Sequence, residues 1–225
     1  FFTAEGYFKK ITPASLRMSG EHKLKEGDVI TQTVETTNNR DLLFFTDKGT
    51  VYKAKAADFS DTKASVLGDY VAAKLGFDEG ESARYMAVTG DYSGYMLFFF
   101  ENGKAARVEL SAYQTQTRRK KLTGAYSDKA PLVSAFLLEE DQEMAVYSTE
   151  GRCMIFHTSA LSPKTTRTTQ GVNVMSLKPK YRVEKALPLA QTPIRNAARY
   201  RARSLPIAGA LLREPDRGEE QMTLL

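Results

Sequence analysis

The stretch Phe44-Phe45-Thr46-Asp47-Lys48-Gly49-Thr50-Val51-Tyr52-Lys53 joins two strand-like runs through a polar residue and a glycine. The same construction recurs at Phe1-Phe2-Thr3-Ala4-Glu5-Gly6, at Phe98-Phe99-Phe100-Glu101-Asn102-Gly103 and at Val146-Tyr147-Ser148-Thr149-Glu150-Gly151. Successive glycines are 43, 54 and 48 residues apart, near the length of one four-stranded blade in a propeller-like array. A polar residue before glycine suits a type I turn whose last position is left-handed, where a Cβ would be strained. The flanking runs are apolar on both faces, as in a blade covered by a neighbour on each side. The repeat thus predicts an all-β, propeller-like array with four repeats and room for a partial fifth.

Positions beyond the turn extend the repeat. Ten residues after each glycine stand Leu16, Phe59, Tyr113 and Leu161, predicted to be buried anchors, and five residues after it Ile11, Ala54, Val108 and Phe156. Four residues after it come Lys10, Lys53, Arg107 and then Ile155, so three repeats share a cation and, by expectation, a common face. The repeats run over about 1–38, 39–94, 95–142 and 143–190, giving a domain of 1–190. A tail of 191–225 follows, basic first and acidic at its finish (Glu214, Asp216, Glu219, Glu220).

Composition narrows the function classes. The 42% hydrophobic content suffices for a large core. The lone Cys153 makes no intramolecular disulfide and no cysteine-based zinc cluster, which fits a reducing compartment. With no targeting segment and no window near the roughly 18 apolar residues of a membrane span, the expectation is a cytoplasmic protein away from the membrane. His22 and His157 have no metal-ligand spacing, so neither a metal nor a cofactor is expected in this domain. Phosphate-loop, nucleophile-elbow and zinc-protease motifs are absent, and the carboxylates form no recognisable pair, so no catalytic residue is assigned.

The net charge of +5 is unevenly placed. The four blocks 1–38, 39–94, 95–142 and 143–225 carry balances of 0, −2, +1 and +6, and residues 152–203 hold eleven cations against Glu184 alone. Clusters precede glycines in three connections: Arg17 with Lys23 and Lys25, Arg118-Arg119-Lys120-Lys121 before Gly124, and Lys164 with Arg167 before Gly171. Cations interleaved with Thr, Ser and Gln suit phosphate contacts better than base reading. The expected DNA contacts are these residues together with Lys9, Lys10, Lys53, Arg107 and Lys178. On a rim of blades they would form a curved track for bent duplex. Bending a 20–30 base-pair site costs on the order of 1–6 kcal/mol, which several phosphate contacts would have to offset. In the tail, Arg195, Arg199, Arg201 and Arg203 fit a solvated segment and a DNA-contacting one equally.

Gly6-Tyr7-Phe8-Lys9-Lys10-Ile11-Thr12, Thr46 to Lys53, and Thr168-Thr169-Gln170-Gly171-Val172 resemble the C-terminal β-pinwheel domain of the A subunit of bacterial type IIA topoisomerases, over about residues 1–190. The resemblance implies a non-catalytic domain that binds and bends double-stranded DNA and presents it for ATP-dependent strand passage. It also implies that the active-site tyrosine lies in an upstream catalytic core, that ATP and magnesium are used elsewhere in the enzyme with its ATPase B subunit, and that the protein is nucleoid-associated. The family's gyrase members carry a box reading Q-R-R-G-G-[RK]-G. Gln116 to Gly124 keeps a glutamine and Arg118-Arg119 but has Lys120-Lys121 where glycines would be. Flexible point charges in place of close backbone approach favour a topoisomerase IV-like role in decatenation and relaxation. The alternative reading is a propeller-like scaffold that binds an acidic partner protein.

Overall fold

The computed structural model describes residues 1–117 and 119–218. Its strands in chain order are β1 (Phe2–Thr3), β2 (Tyr7–Phe8), β3 (Ile30–Gln32), β4 (Asp41–Thr46), β5 (Thr50–Lys55), β6 (Asp69–Tyr70), β7 (Ala83–Thr89) and β8 (Tyr95–Phe100). They continue as β9 (Lys104–Glu109), β10 (Lys121–Thr123), β11 (Leu132–Leu138), β12 (Glu143–Ser148), β13 (Arg152–His157), β14 (Val172–Asn173), β15 (Val183–Pro188) and β16 (Ala210–Leu211). Two one-turn helices, α1 (Pro13–Arg17) and α2 (Val71–Leu75), lie between them.

Each repeated glycine closes a hairpin. At Gly49 the chain turns at φ +72°, and β4 pairs antiparallel with β5, Phe45 facing Val51. In the fourth copy the Gly151 amide donates to the Ser148 carbonyl at 2.9 Å, the three-residue closure expected of the turn type. β4, β8 and β12 are buried on both faces after their first residue. Phe44, Phe45, Phe98, Phe99 and Phe100 are therefore core side chains, each adding on the order of 1.5–3 kcal/mol of burial.

All four sheets share one topology. Their orders are β3-β1-β2-β6, β7-β4-β5-β10, β11-β8-β9-β14 and β15-β12-β13-β16. In each blade the outermost strand arrives from far along the chain. The segment with the altered box supplies β10 to the second blade, and the Thr168–Val172 segment leads into β14 of the third, pairing Val172 with Ala105. The tail supplies β16 to the fourth blade, pairing Ala210 with Cys153, so it completes that sheet, and the described residues form no fifth.

The blades fall into two compact units. The first comprises Phe1–Ser93 with Tyr113–Tyr126, and the second Gly94–Ala112 with the residues from Ser127 onward. In the first unit Phe2, Phe8, Leu42, Phe44, Phe59 and Met86 form one core cluster. In the second, Leu97, Phe99, Met144, Val146, Phe156 and Leu161 belong to one cluster, and Tyr147, Cys153, Ile155 and Tyr200 to another.

The anchor ten residues past each glycine is buried three times out of four. Phe59 lies 4.5 Å from Phe8 and Tyr113 lies 5.2 Å from Phe45, centroid to centroid, while Leu161 packs in the cluster of Leu97 and Phe99. Each reaches a residue of the blade before its own. Leu16, on α1 of the first repeat, has no earlier blade among the described residues and is 40% exposed, contrary to the repeat-based expectation.

Gly171 and Gly151 both adopt positive φ, at +70° and +78°, but differ in surroundings. A Cβ on Gly171 would lie 2.0 Å from the Ala105 carbonyl oxygen where β14 docks, whereas one on Gly151 meets nothing within 4 Å. Gly151→Ala should cost about 1–2 kcal/mol from the left-handed conformation alone. Gly171→Ala should cost at least about 3 kcal/mol, because backbone must also move. Urea unfolding of the two variants checks the order, and equal midpoints would contradict it.

Candidate nucleic-acid interface

The cation four residues past each glycine does not face solvent with its neighbours. Lys10 Nζ donates to the Ala56 carbonyl at 3.1 Å and to Asn38 Oδ1 at 2.9 Å, and pairs with Asp61 at 3.5 Å. Lys53 Nζ donates to the Tyr113 carbonyl at 2.9 Å and to Thr115 Oγ1 at 3.1 Å. Arg107 donates to the Thr158 carbonyl at 3.2 Å, to the Leu161 carbonyl at 3.5 Å and to Asp141 at 3.0 Å, with its side chain 9% exposed. Ala56 and Thr158 stand seven residues past their own glycines, and Tyr113 and Leu161 ten past theirs. The cation of one repeat therefore grips the turn that follows the hairpin of the next. In the fourth repeat Ile155 occupies this position. Its backbone bonds Tyr200 and Ala202, and its side chain joins an apolar cluster.

Lys9 is more deeply placed. It is 1% exposed, its Nζ donates to the carbonyls of Lys23 at 2.7 Å and Ala64 at 3.0 Å, and His22 Nδ1 lies 3.4 Å away. Burial holds its pKa below the ordinary lysine value, and the same cause lowers that of Lys53. These positions withdraw Lys9, Lys53 and Arg107 from the exposed set that the sequence suggests, and leave Lys10 mostly covered.

Other expected contacts divide by partner. Lys25 pairs with Glu5 at 3.3 Å, Lys121 with Asp78 and Lys178 with Glu150. Arg167 donates to the Ala112 carbonyl at 3.1 Å. Arg17, Lys23, Arg119, Lys120 and Lys164 are exposed, and none forms an ion pair among the described residues. Arg118 lies outside the described residues, as do Glu219 and Glu220. On the fourth blade Lys185, Arg195, Arg199, Arg203 and Arg213 are also exposed and free of ion pairs among the described residues, whereas Arg201 makes a two-point contact with Glu143 at 2.7 and 3.0 Å.

The tail is fixed by a buried carboxylate. Asp216 accepts from the backbone amides of Arg195 at 2.7 Å and Asn196 at 3.2 Å on one oxygen, and from Tyr200 Oη at 2.6 Å on the other. The Tyr200 hydroxyl in turn accepts from the Arg213 amide at 3.2 Å. The Tyr200 hydroxyl and these amides hold the Asp216 pKa below the usual carboxylate range. Local sequence gives little sign of this hub, since its partners lie 16 to 21 residues away.

Burial pushes the Cys153 thiol up to about 12, leaving no thiolate at neutral pH. The described residues include no group of three or more His, Cys, Asp and Glu able to hold a metal ion. No helix among them is long and apolar enough to cross a membrane.

Comparison with known proteins places these features in context. The family described as DNA gyrase C-terminal domain, beta-propeller, matches residues 40–65, 95–138 and 148–190, together half of the chain. The A subunit of DNA gyrase from Streptomyces coelicolor is 28% identical over 168 residues, covering 69% of this chain and 19% of that protein. The A subunit of DNA topoisomerase 4 from Staphylococcus epidermidis is 28% identical over 182 residues, covering 78% of this chain and 22% of that protein. The chain thus spans about a fifth of the length of these relatives. Among solved structures, the C-terminal domain of DNA topoisomerase IV superposes with a TM-score of 0.79 at 22% identity, covering 93% of this chain and 70% of that one. The E. coli ParC C-terminal domain superposes with a TM-score of 0.68 at 14% identity, covering 96% and 94%. Both show the same fold.

Two consequences of this geometry are measurable. Arg107→Ala removes a guanidinium that bridges Asp141 and the Thr158 and Leu161 carbonyls and should cost about 1–3 kcal/mol of stability, since Asp141 keeps the Thr158 hydroxyl and the Thr158 carbonyl keeps the Leu161 amide, while Lys120→Ala should leave the melting temperature unchanged. Calorimetry of the two variants checks this. For Asp216 the folded pKa is depressed, so its stabilisation is complete above the unfolded value of about 3.9 and lost as pH falls through the folded value. Asp216→Asn should therefore destabilise most at neutral pH, and the gap to the parent protein should close below about pH 3.9. Denaturant midpoints from pH 2 to pH 7 test the sign.

Proposed function

Because this chain belongs to the DNA gyrase C-terminal domain, beta-propeller, family, we propose that it is a non-catalytic module, part of the A subunit of a type IIA topoisomerase, that binds and bends double-stranded DNA. In the whole enzyme it hands that duplex to the catalytic core of the same polypeptide for strand passage driven by an ATPase B subunit. The observation that carries the reading is that five of the cations expected on the repeat connections, Arg17, Lys23, Arg119, Lys120 and Lys164, are exposed and without carboxylate partners among the described residues. Flexible cations on polar connections suit sequence-independent neutralisation of phosphates. The altered box adds to this, because Lys120 extends a free charge where the glycine-rich version would bring backbone close. Strand passage with relaxation and decatenation therefore fits this chain better than gyrase-type wrapping. Such a module works where the chromosome is, in the cytoplasm at the nucleoid, and needs neither ATP nor magnesium of its own.

If these five residues each neutralise one phosphate, log K should fall with log salt at a slope of about −4.5, several hundred-fold between 50 and 200 mM. A gel shift of a 40-base-pair duplex at both concentrations measures this. Arg119→Ala with Lys120→Ala should weaken binding more than Lys55→Ala with Lys74→Ala, whose parent side chains pair with Asp41 and Asp69. Salt-insensitive binding, or equal loss in the two pairs, would remove the electrostatic account. Ligation of a short duplex into circles reads bending separately. An unchanged circle yield would favour the scaffold that binds an acidic protein.

A further inference from the structure

Outside the residues assigned above, a group of unpaired cations lies on the fourth blade, where the chain from Leu189 to Arg217 folds back onto β13. Two of its arginines donate their amides to one hub, and a third precedes a member of it in sequence. Arg195 donates its amide to Asp216, Arg199 precedes Tyr200, whose hydroxyl donates to the same carboxylate, and Arg213 donates its amide to that hydroxyl. The Arg199 guanidinium lies 5.9 Å from the Tyr200 aromatic centroid. Lys185 on β15 places its ammonium 4.5 Å from the Tyr147 centroid, and Tyr147 and Tyr200 share one apolar cluster. All four cations are exposed, and none is ion-paired among the described residues.

The carboxylates nearby are accounted for. Asp216 is buried and satisfied by Tyr200 and two amides, Glu214 pairs with Arg217 at 3.0 Å, and Glu143 is held by Arg201. Among the described residues of this blade, Glu184 on β15 is a further exposed acid. A hub that fixes the backbone beneath several arginines reduces the ordering cost of binding, and the guanidinium fork matches phosphate oxygens. Duplex DNA carries a charge about every 1.7 Å along its axis, so several cations held on one blade can each meet a phosphate.

We propose that the tail of the fourth blade is a second phosphate-backbone contact for duplex DNA, made by Arg195, Arg199 and Arg213, with Lys185 over Tyr147 of the same apolar cluster as Tyr200. The inference rests on the DNA-binding reading above and adds a surface that the family-like connections do not include. Its ligand is sugar-phosphate backbone without base preference.

The test titrates the full chain against a fluorescein-labelled 40-base-pair duplex by anisotropy from 50 to 200 mM salt. The variants are Arg195→Gln/Arg199→Gln/Arg213→Gln, the same three to Lys, and a control of Lys55→Gln/Arg84→Gln/Lys129→Gln, whose parent side chains pair with Asp41, Asp47 and Asp128. The Gln triple should reduce the steepness of the salt slope by about 2.7 and weaken binding, while the Lys triple and the control keep the parent slope. Parent-like slope and affinity in the Gln triple would overturn this contact and leave the DNA-binding reading intact. A Lys triple as weak as the Gln triple would mark the effect as structural and overturn it too. No binding by the parent chain at 50 mM would remove the DNA-binding reading and this contact together.

Discussion

The structure depends on a hydrogen bond lent forward from one repeat to the next. Lys10, Lys53 and Arg107 each leave their own second strand and donate to a carbonyl in the turn that follows the next hairpin. The Ala56 and Thr158 carbonyls already accept the amide three residues on in their own turns, and the charged donor uses the second lone pair, for about 1.5–3 kcal/mol net. The bond is short-range and directional, so it sets the position of each turn relative to the blade before it. The aromatic or leucine anchor three residues beyond the first gripped position packs into the same seam. Polar clamp and apolar anchor thus act on one turn from the same side.

The outermost strands add a second kind of dependence. β6, β10, β14 and β16 all come from chain beyond the blade that they complete. A hairpin of two short strands is marginal alone, and each added strand covers an edge that would otherwise expose unpaired backbone groups. The close approach at Gly171 follows from this, because β14 must meet the hairpin backbone of the third blade. It also explains why a tail with weak strand patterning has defined structure. Pairing with Cys153 and anchoring by Asp216 supply what local propensity lacks.

Much of this was legible in the sequence. The glycines, their spacing and the two-sided apolar strands specify the blades, because the turn needs a left-handed residue and the strands need cover on both faces. Sequence offset also found the positions of the clamp, but not its direction. A cation recurring at one offset reads as a shared surface, whereas Lys53 and Arg107 point into the following turn. The break in the pattern at Ile155 carried the information, since a binding face has no reason to omit its last member. Leu16 makes the converse point, because offset predicts its anchor role while burial needs a preceding blade. Strand exchange was not legible, as Gln170-Gly171-Val172 marks the end of one repeat in sequence and the edge of another blade in space.

Cation density alone therefore overstates the charge left free for a polyanion in this fold. Lysines and arginines serve the seams first, as with Lys10, Lys53 and Arg107, and then the exposed carboxylates, as with Lys25, Lys121 and Lys178. What remains for a polyanion is the residue of that partition. Arg119, Lys120 and Lys164 survive it on connections that carry the hydroxyl and amide groups expected beside phosphates. Arg195, Arg199 and Arg213 survive it because the acid beside them, Asp216, is turned inward to hold the backbone. The acidic residue of this basic tail thus orders the backbone beneath the arginines through Tyr200 and two amides, and forms no ion pair with their guanidinium groups.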